Sequence, residues 1–217
     1  MKFFSFLVLL ALGTTTVEFN SCGNTPKQEE FSNNLDNPSN DKGVVINGVK
    51  WATRNVAEPG TFAAKLEDHG MFYQWNRKTT WPTDNYVTGW HNSFVAGCTW
   101  EKANDPSPAG WRVPTLAEIE KLCDANNVTS EWITLNGVNG RKFIDIATGN
   151  SIFLPAAGYR YYYGGTLNYV DSCGHYWSST AYGSGRACRL SFVSGRAYWG
   201  WDCGTRSDGV SVRSVAD

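Results

Sequence analysis

Apolar positions fall into three regimes along this sequence. The first is a run from Phe3 to Leu12, broken only by Ser5, that follows the charged start Met1-Lys2. The run is about half the ~20 residues a membrane-spanning helix needs, and its layout is that of a signal-peptide core. A buried N-terminal strand or helix is the alternative, and the polar tract that follows argues against it. In the second regime, residues 22–42, polar and charged residues dominate and little apolar surface is available to bury. Such a tract does not fold and reads as a flexible tether. The third regime, residues 43–217, alternates short apolar or aromatic runs with Gly, Asn and Ser, and reads as one globular domain.

Within the domain the spacing predicts mostly strands. Val44-Val45-Ile46, the turn pair Asn47-Gly48 and the extended stretch Val49 to Val56 predict a hairpin. Gly70 to Trp75 is another strand-like run. Lys142 to Ile146 and Ser151 to Pro155 flank Thr148-Gly149-Asn150 and predict a second hairpin. Further strands are expected over Tyr176–Thr180, Arg189–Phe192, Tyr198–Trp201 and Val210–Arg213. A single stretch has a helical period. Leu116, Ile119, Leu122 and Cys123 share one face, and Thr115 with Glu118 fits a capping box, in which each side chain satisfies an orphan amide. Many strands with few short helices predict an α+β domain built on an antiparallel sheet.

Composition narrows the function classes. Lys and Arg number 19 against 20 Asp and Glu, for a net charge of −1, so no basic footprint for nucleic acid is present. The 22 Gly with 10 Trp, 10 Tyr and 11 Phe suit short strands joined by loops, with rings filling the core.

The chemistry begins at Cys22. Phe19-Asn20-Ser21-Cys22 is similar to a bacterial lipobox, although Phe19, Asn20 and the nearby Glu18 depart from its usual residues. Cleavage after Ser21 would leave residues 1–21 as the signal peptide and Cys22 acylated, and two or more chains make such an anchor stable. Ordinary secretion with Cys22 lost or unmodified is the alternative. Lys27-Gln28-Glu29-Glu30 resembles the acidic export tags of surface lipoproteins of the Bacteroides group, and reads equally well as a solvated charge run.

Five ordered blocks carry a family resemblance. Trp51 to Val56, Asp105 to Thr115, Phe153 to Arg160, Tyr176 to Thr180 and Ser211 to Arg213 follow the order found in the Fibrobacter succinogenes major paralogous domain (FISUMP) family, over nearly all of residues 43–217. The Gly110-Trp111-Arg112-Val113-Pro114-Thr115 block also resembles the formylglycine-generating-enzyme domain. Together these imply a C-type-lectin-like fold, which hosts many ligands and few chemistries. Members of the family often carry Cys where this chain has Ser107 and Ser214. The resemblance therefore implies that these two serines are neighbours at a lost disulfide position.

With Cys22 set aside, the domain holds five of the six cysteines, an odd number. Cys123, on the apolar helix face, reads as a buried thiol. Cys188 and Cys203 flank a hairpin turn expected around Ser194-Gly195, where equal spacing would place them nearly opposite each other, and a bridge between them is one outcome. Cys98 and Cys173 have no evident partner in the sequence.

Catalytic signatures are absent. There is no nucleophile elbow, phosphate-cradling glycine loop or metalloprotease helix, and no cofactor is implied. His69, His91 and His175 are isolated, so no metal site is expected. The copper-holding cysteine spacing of the formylglycine-generating enzymes is not reproduced by Cys188 and Cys203. Glu118 and Glu120 read as a solvated helix face.

The last third of the domain carries the binding candidates. Tyr161, Tyr163, His175, Arg189, Ser191, Arg196, Trp199, Trp201, Asp202 and Arg206 form a mixed set in strands and loops. Strand alternation assigns Leu190 and Phe192 to the core and turns Arg189 and Ser191 outward. Trp199 and Trp201 share a face that is either a recognition patch, beside Arg196 and Arg206, or core. The expected role is a cell-surface, outer-membrane lipoprotein that binds a protein, peptide or glycan. The resemblance adds that such proteins are in some cases diversified by retroelements through adenine-directed mutagenesis. A structural or tip subunit of an adhesin assembly, and a redox enzyme related to the formylglycine-generating enzymes, are the alternatives.

Overall fold

Hairpins set the architecture of this computed structural model, which describes residues 41–198 and 203–217. The first joins β1 (Val44–Ile46) to β2 (Val49–Trp51). Asn47 and Gly48 both have positive φ, at 45° and 74°. That pair of left-handed residues makes a turn whose twist matches the flanking strands, and Asn-Gly adopts it at little cost. β2 is shorter than the run to Val56 suggests and ends at Trp51.

Next come β3 (Phe72–Tyr73) and β4 (Thr80–Trp81), which pair with each other, and β5 (Trp111–Arg112). The helix α1 (Leu116–Leu122) follows. Thr115 accepts from the Glu118 backbone N–H while the Glu118 carboxylate accepts from the Thr115 backbone, as the capping box requires. Ile119 and Leu122 are its buried residues.

A three-stranded meander of β6 (Val128–Leu135), β7 (Val138–Asp145) and β8 (Ser151–Pro155) follows the helix. β7 and β8 form the expected second hairpin. β6 is an addition, joined to β7 through Asn136-Gly137, both at positive φ. After β9 (Tyr159–Arg160) and β10 (Leu167–Asn168), which pair with each other, come the long strands β11 (Cys173–Tyr182) and β12 (Arg186–Val193). β13 (Arg196–Tyr198) and β14 (Cys203–Thr205) both pair with β12, and β15 (Val215–Ala216) completes the set. Val210 and Ser211, expected within a strand, make only isolated bridges, to Tyr73 and Tyr176.

The α+β expectation is overturned. Among the described residues there is one seven-residue α-helix and one 3-10 turn, and the rest of the regular structure is antiparallel strand. The protein is mainly β. Glycine and asparagine at left-handed positions end the segments after a few residues, and the chain turns back before helices can extend. The implied C-type-lectin-like mixture of helices and strands is corrected with it.

β15 lies between β2 and β5, giving the order β1-β2-β15-β5. The core beneath this sheet joins Trp51, Ile119, Phe143, Tyr176 and Phe192. Three arginines are almost wholly enclosed: Arg160, Arg206 and Arg213, each 1% exposed. Arg213 donates to the Asn55 side chain and to the carbonyls of Ala52 and Phe153. Arg160 donates to the carbonyls of Pro82, Gly165, Asp84 and Asn85. A fold with so many irregular segments leaves many buried carbonyls outside ladders, and guanidinium groups with five donors can satisfy several of them at once.

Ser107 and Ser214 are neighbours, as the resemblance implies: the Ser214 hydroxyl donates to Ser107 Oγ at 2.7 Å.

Candidate functional site

Alternation along β11 and β12 builds the site. Tyr176, Leu190 and Phe192 face the main core, as the pattern predicts. The opposite face presents Cys173, His175 and Trp177 from β11, directly across from Val193, Ser191 and Arg189 of β12. This second face is not open to solvent. Arg189 is 9% and Ser191 4% exposed, which corrects the expectation that both point outward into water.

The physical reason is a second layer over that face. Arg189 Nη1 lies 3.5 Å from the Asp208 carboxylate, and its guanidinium sits 5.8 Å from the Tyr159 ring centre. Gly204 passes so close that a Cβ there would lie 2.6 Å from Arg189 Nη1. A buried arginine is tolerable when a carboxylate and a ring face replace its water.

His175 stands beside this pair. Its Nε2 is 3.2 Å from Cys173 Sγ and its Nδ1 is 2.5 Å from Ser191 Oγ. Tyr159 packs edge-on to the imidazole at 5.1 Å and stacks on Tyr169 at 6.1 Å. Gly158 sets this approach: its φ is +71°, and a Cβ there would be 2.2 Å from the Asn168 carbonyl. Burial raises the Tyr159 phenol above its ordinary value, Asp208 adds to the rise, and Arg189 opposes it.

Outside this layer is a rim of exposed tyrosines. Tyr161, Tyr162, Tyr163 and Tyr169 are 39%, 39%, 70% and 65% exposed. The Tyr161 and Tyr162 rings lie 4.4 Å apart, and their side-chain hydrogen bond, more than burial, raises the Tyr161 phenol. Tyr161 also lies within electrostatic reach of Tyr159 and Asp208, which ties the rim to the inner cluster.

The structure thus brings together Tyr161, His175, Arg189 and Ser191 from the sequence-selected set, and adds Tyr159, Tyr169, Cys173 and Asp208. Tyr163 lies on the same loop as Tyr161, and Arg196 is exposed at the tip of the β12–β13 hairpin. Arg206 does not belong. It donates to the carbonyls of Arg186, Val95 and Gly183 and stacks 4.2 Å from the Trp75 ring, so it is a loop staple rather than a recognition residue. Trp199, Trp201 and Asp202, like Cys22 and the export segment, lie outside the described residues. Asp208 and Tyr159 escaped the sequence reading because their partners are distant in the chain; the Tyr159–Tyr169 repeat of aromatics around Gly164-Gly165 was the available signal.

Cys188 and Cys203 are opposite each other in the β12–β14 register, with Sγ atoms 3.7 Å apart and no bond between them. Burial pushes the Cys188 thiol up to about 12, and the contact with Cys203 adds to the effect. Cys123 is likewise raised to about 12 by burial. Among the described residues no group of three or more His, Cys, Asp or Glu side chains is placed to hold a metal ion. A cavity of about 620 Å³ bounded by Ala63, Glu67, His69, Met71 and Val138 contains none of the sequence-selected residues.

Residues 123–215 match a family described as a domain of unknown function, DUF8237. The match covers the strands that carry the site. No curated protein and no solved structure matches the chain.

Proposed function

We propose that this chain is an exported, lipid-anchored surface protein whose domain binds a protein, peptide or glycan through the tyrosine-rimmed face of its last third. The carrying observation is the exposed pair Tyr161 and Tyr169 beside Tyr159, which packs against His175 and faces the Arg189 guanidinium, with Tyr163 exposed on the Tyr161 loop. Tyrosines supply large, stiff contact area with a polar tip, and they are enriched where proteins bind. The FISUMP resemblance and the lipobox-like Phe19-Asn20-Ser21-Cys22 support presentation at the cell surface, on a tether of residues 22–42. Retroelement diversification of the last strands is part of the same proposal. A near-identical template repeat beside a reverse-transcriptase gene supports it, and a genome lacking that repeat rejects it.

The test is a glycan and peptide array probed with the full chain. A ligand captured by the unaltered protein and by Val45→Thr, but held at least tenfold more weakly by Tyr163→Ala and Tyr169→Ala, supports the reading. Equal capture by all four proteins overturns it. Anchoring is tested separately: incorporation of labelled palmitate should vanish in Cys22→Ser.

A further inference from the structure

Cys173, His175 and Ser191 form a thiol–imidazole–hydroxyl relay on one face of the sheet. Strand alternation puts Cys173 and His175 on the same side of β11, and the β11–β12 register sets Ser191 directly opposite His175. The thiol lies 3.2 Å from Nε2 and the hydroxyl 2.5 Å from Nδ1. Tyr159 holds the ring edge-on. A nucleophile within hydrogen-bond reach of a base, with that base oriented by a third group, is the arrangement that activates a thiol.

We infer that Cys173 is a reactive nucleophile, with His175 as its base and Ser191 as the residue positioning the imidazole, and that its substrates are small disulfides and soft electrophiles. This goes beyond ligand binding and does not depend on it. The step balances with the disulfide as co-reactant. The Cys173 proton moves to His175 Nε2, and the Nδ1–H of the resulting imidazolium donates to Ser191 Oγ. The Sγ electron pair attacks one sulfur of RS–SR, a new S–S bond forms, and the old one breaks. The departing RS⁻ takes the proton from Nε2 and leaves as RSH. Cys173 sulfur is oxidised and the departing sulfur reduced.

Cys173 is itself buried, 7% exposed, and what sets it apart from the other described thiols is the imidazole 3.2 Å from its sulfur. Cys123 and Cys188 are raised by burial and protonated at neutral pH. Cys98 is exposed, and an unstructured cysteine peptide serves as the reference thiol. Tyr169, 65% exposed, borders Cys173, its carbonyl accepting from the Cys173 backbone N–H.

The experiment is peptide-level mass spectrometry of the full chain after timed exposure to oxidised glutathione and, separately, iodoacetamide, at pH 6 and pH 8. An ordinary thiol loses roughly tenfold in thiolate per pH unit below its pKa, so the reference peptide should slow by about 50-fold or more between pH 8 and pH 6. Cys173 should slow by less than about threefold, because a neighbouring imidazolium favours the thiolate. His175→Gln should cut the pH 6 rate at Cys173 at least tenfold, and Ser191→Ala should move its pH profile toward that of the reference peptide. Cys173 unmodified at both pH values, or slowing in parallel with the reference peptide, or unaffected by His175→Gln, overturns the inference. If circular dichroism shows that His175→Gln does not fold, Ser191→Ala decides: an unchanged profile overturns it.

Discussion

Ser214 donates its hydroxyl hydrogen to Ser107 across 2.7 Å, although the two are 107 positions apart in the chain. One serine precedes β5 and the other precedes β15, so the contact pins two strands that are also paired through Val215 and Arg112. Replacing both serines by cysteine should give a cross-link under mild oxidation, visible as a loss of two thiols and faster non-reducing migration. Closing a loop of that length stabilises by up to about 4.7 kcal/mol in the chain-entropy account. Denaturant midpoints of the oxidised and reduced double variant measure it. A double variant that keeps both thiols after oxidation contradicts the geometry.

A second cross-link is available without mutation. Cys188 and Cys203 are register partners 15 positions apart, with sulfurs 3.7 Å from each other. Oxidation should join them with a gain of about 3 kcal/mol for a loop of this size. Because burial holds the Cys188 thiol at about 12, uncatalysed oxidation should be slow at pH 7 and quicken by roughly tenfold per pH unit as thiolate appears. Mass loss of two hydrogens, followed against pH, checks this.

Arg213 is a costly side chain to remove. It is 1% exposed and donates to Asn55, Ala52 and Phe153. Arg213→Met should destabilise by about 3–5 kcal/mol, since three acceptors lose their donor inside the core. Arg213→Lys should not restore stability, because an ammonium cannot reproduce the planar fork. Urea unfolding of both variants gives the comparison.

Glu118 supplies a pH dependence. Burial alone would raise its carboxyl, but hydrogen bonds from Arg112 and Thr115 outweigh it and leave the group below its ordinary 4.5. The Arg112 fork holds both carboxylate oxygens, at 2.9 and 2.6 Å. A carboxyl depressed on folding contributes stability that is present above its unfolded value and lost as pH falls through the folded one. The stability difference between the unaltered protein and Glu118→Gln should therefore be constant above about pH 5.5 and shrink as pH falls below about 4.5. A difference that grows in acid contradicts the ion pair. At neutral pH Thr115→Ala should cost about 1 kcal/mol through loss of the cap.

Features decided by adjacent residues were legible before any coordinates. Asn47-Gly48 and the Thr115–Glu118 box need only local sterics and local hydrogen bonds, and both are where the pattern puts them. The alternation that sends Leu190 and Phe192 into the core is equally local. Asn136-Gly137 carried the same hairpin signal and went unread, so β6 was missed. What alternation cannot report is whether the far side of a strand is covered. Arg189 and Arg206 have the polarity of surface residues, yet Gly204 and Asp208 cover the first, and the Val95 and Gly183 carbonyls with the Trp75 ring enclose the second. The α+β expectation failed for another reason: the one helical stretch that the pattern shows is a single seven-residue helix among antiparallel strands, too little to make a mixed fold.

The middle position of β15 has a consequence for how the protein is made. β2 and β5 touch the same short strand, and that strand is the last of the three to leave the ribosome. Until Val215 has emerged, β2 has a strand partner on one side only. Contacts this distant in the chain form slowly, so closure of the first sheet is a finishing step.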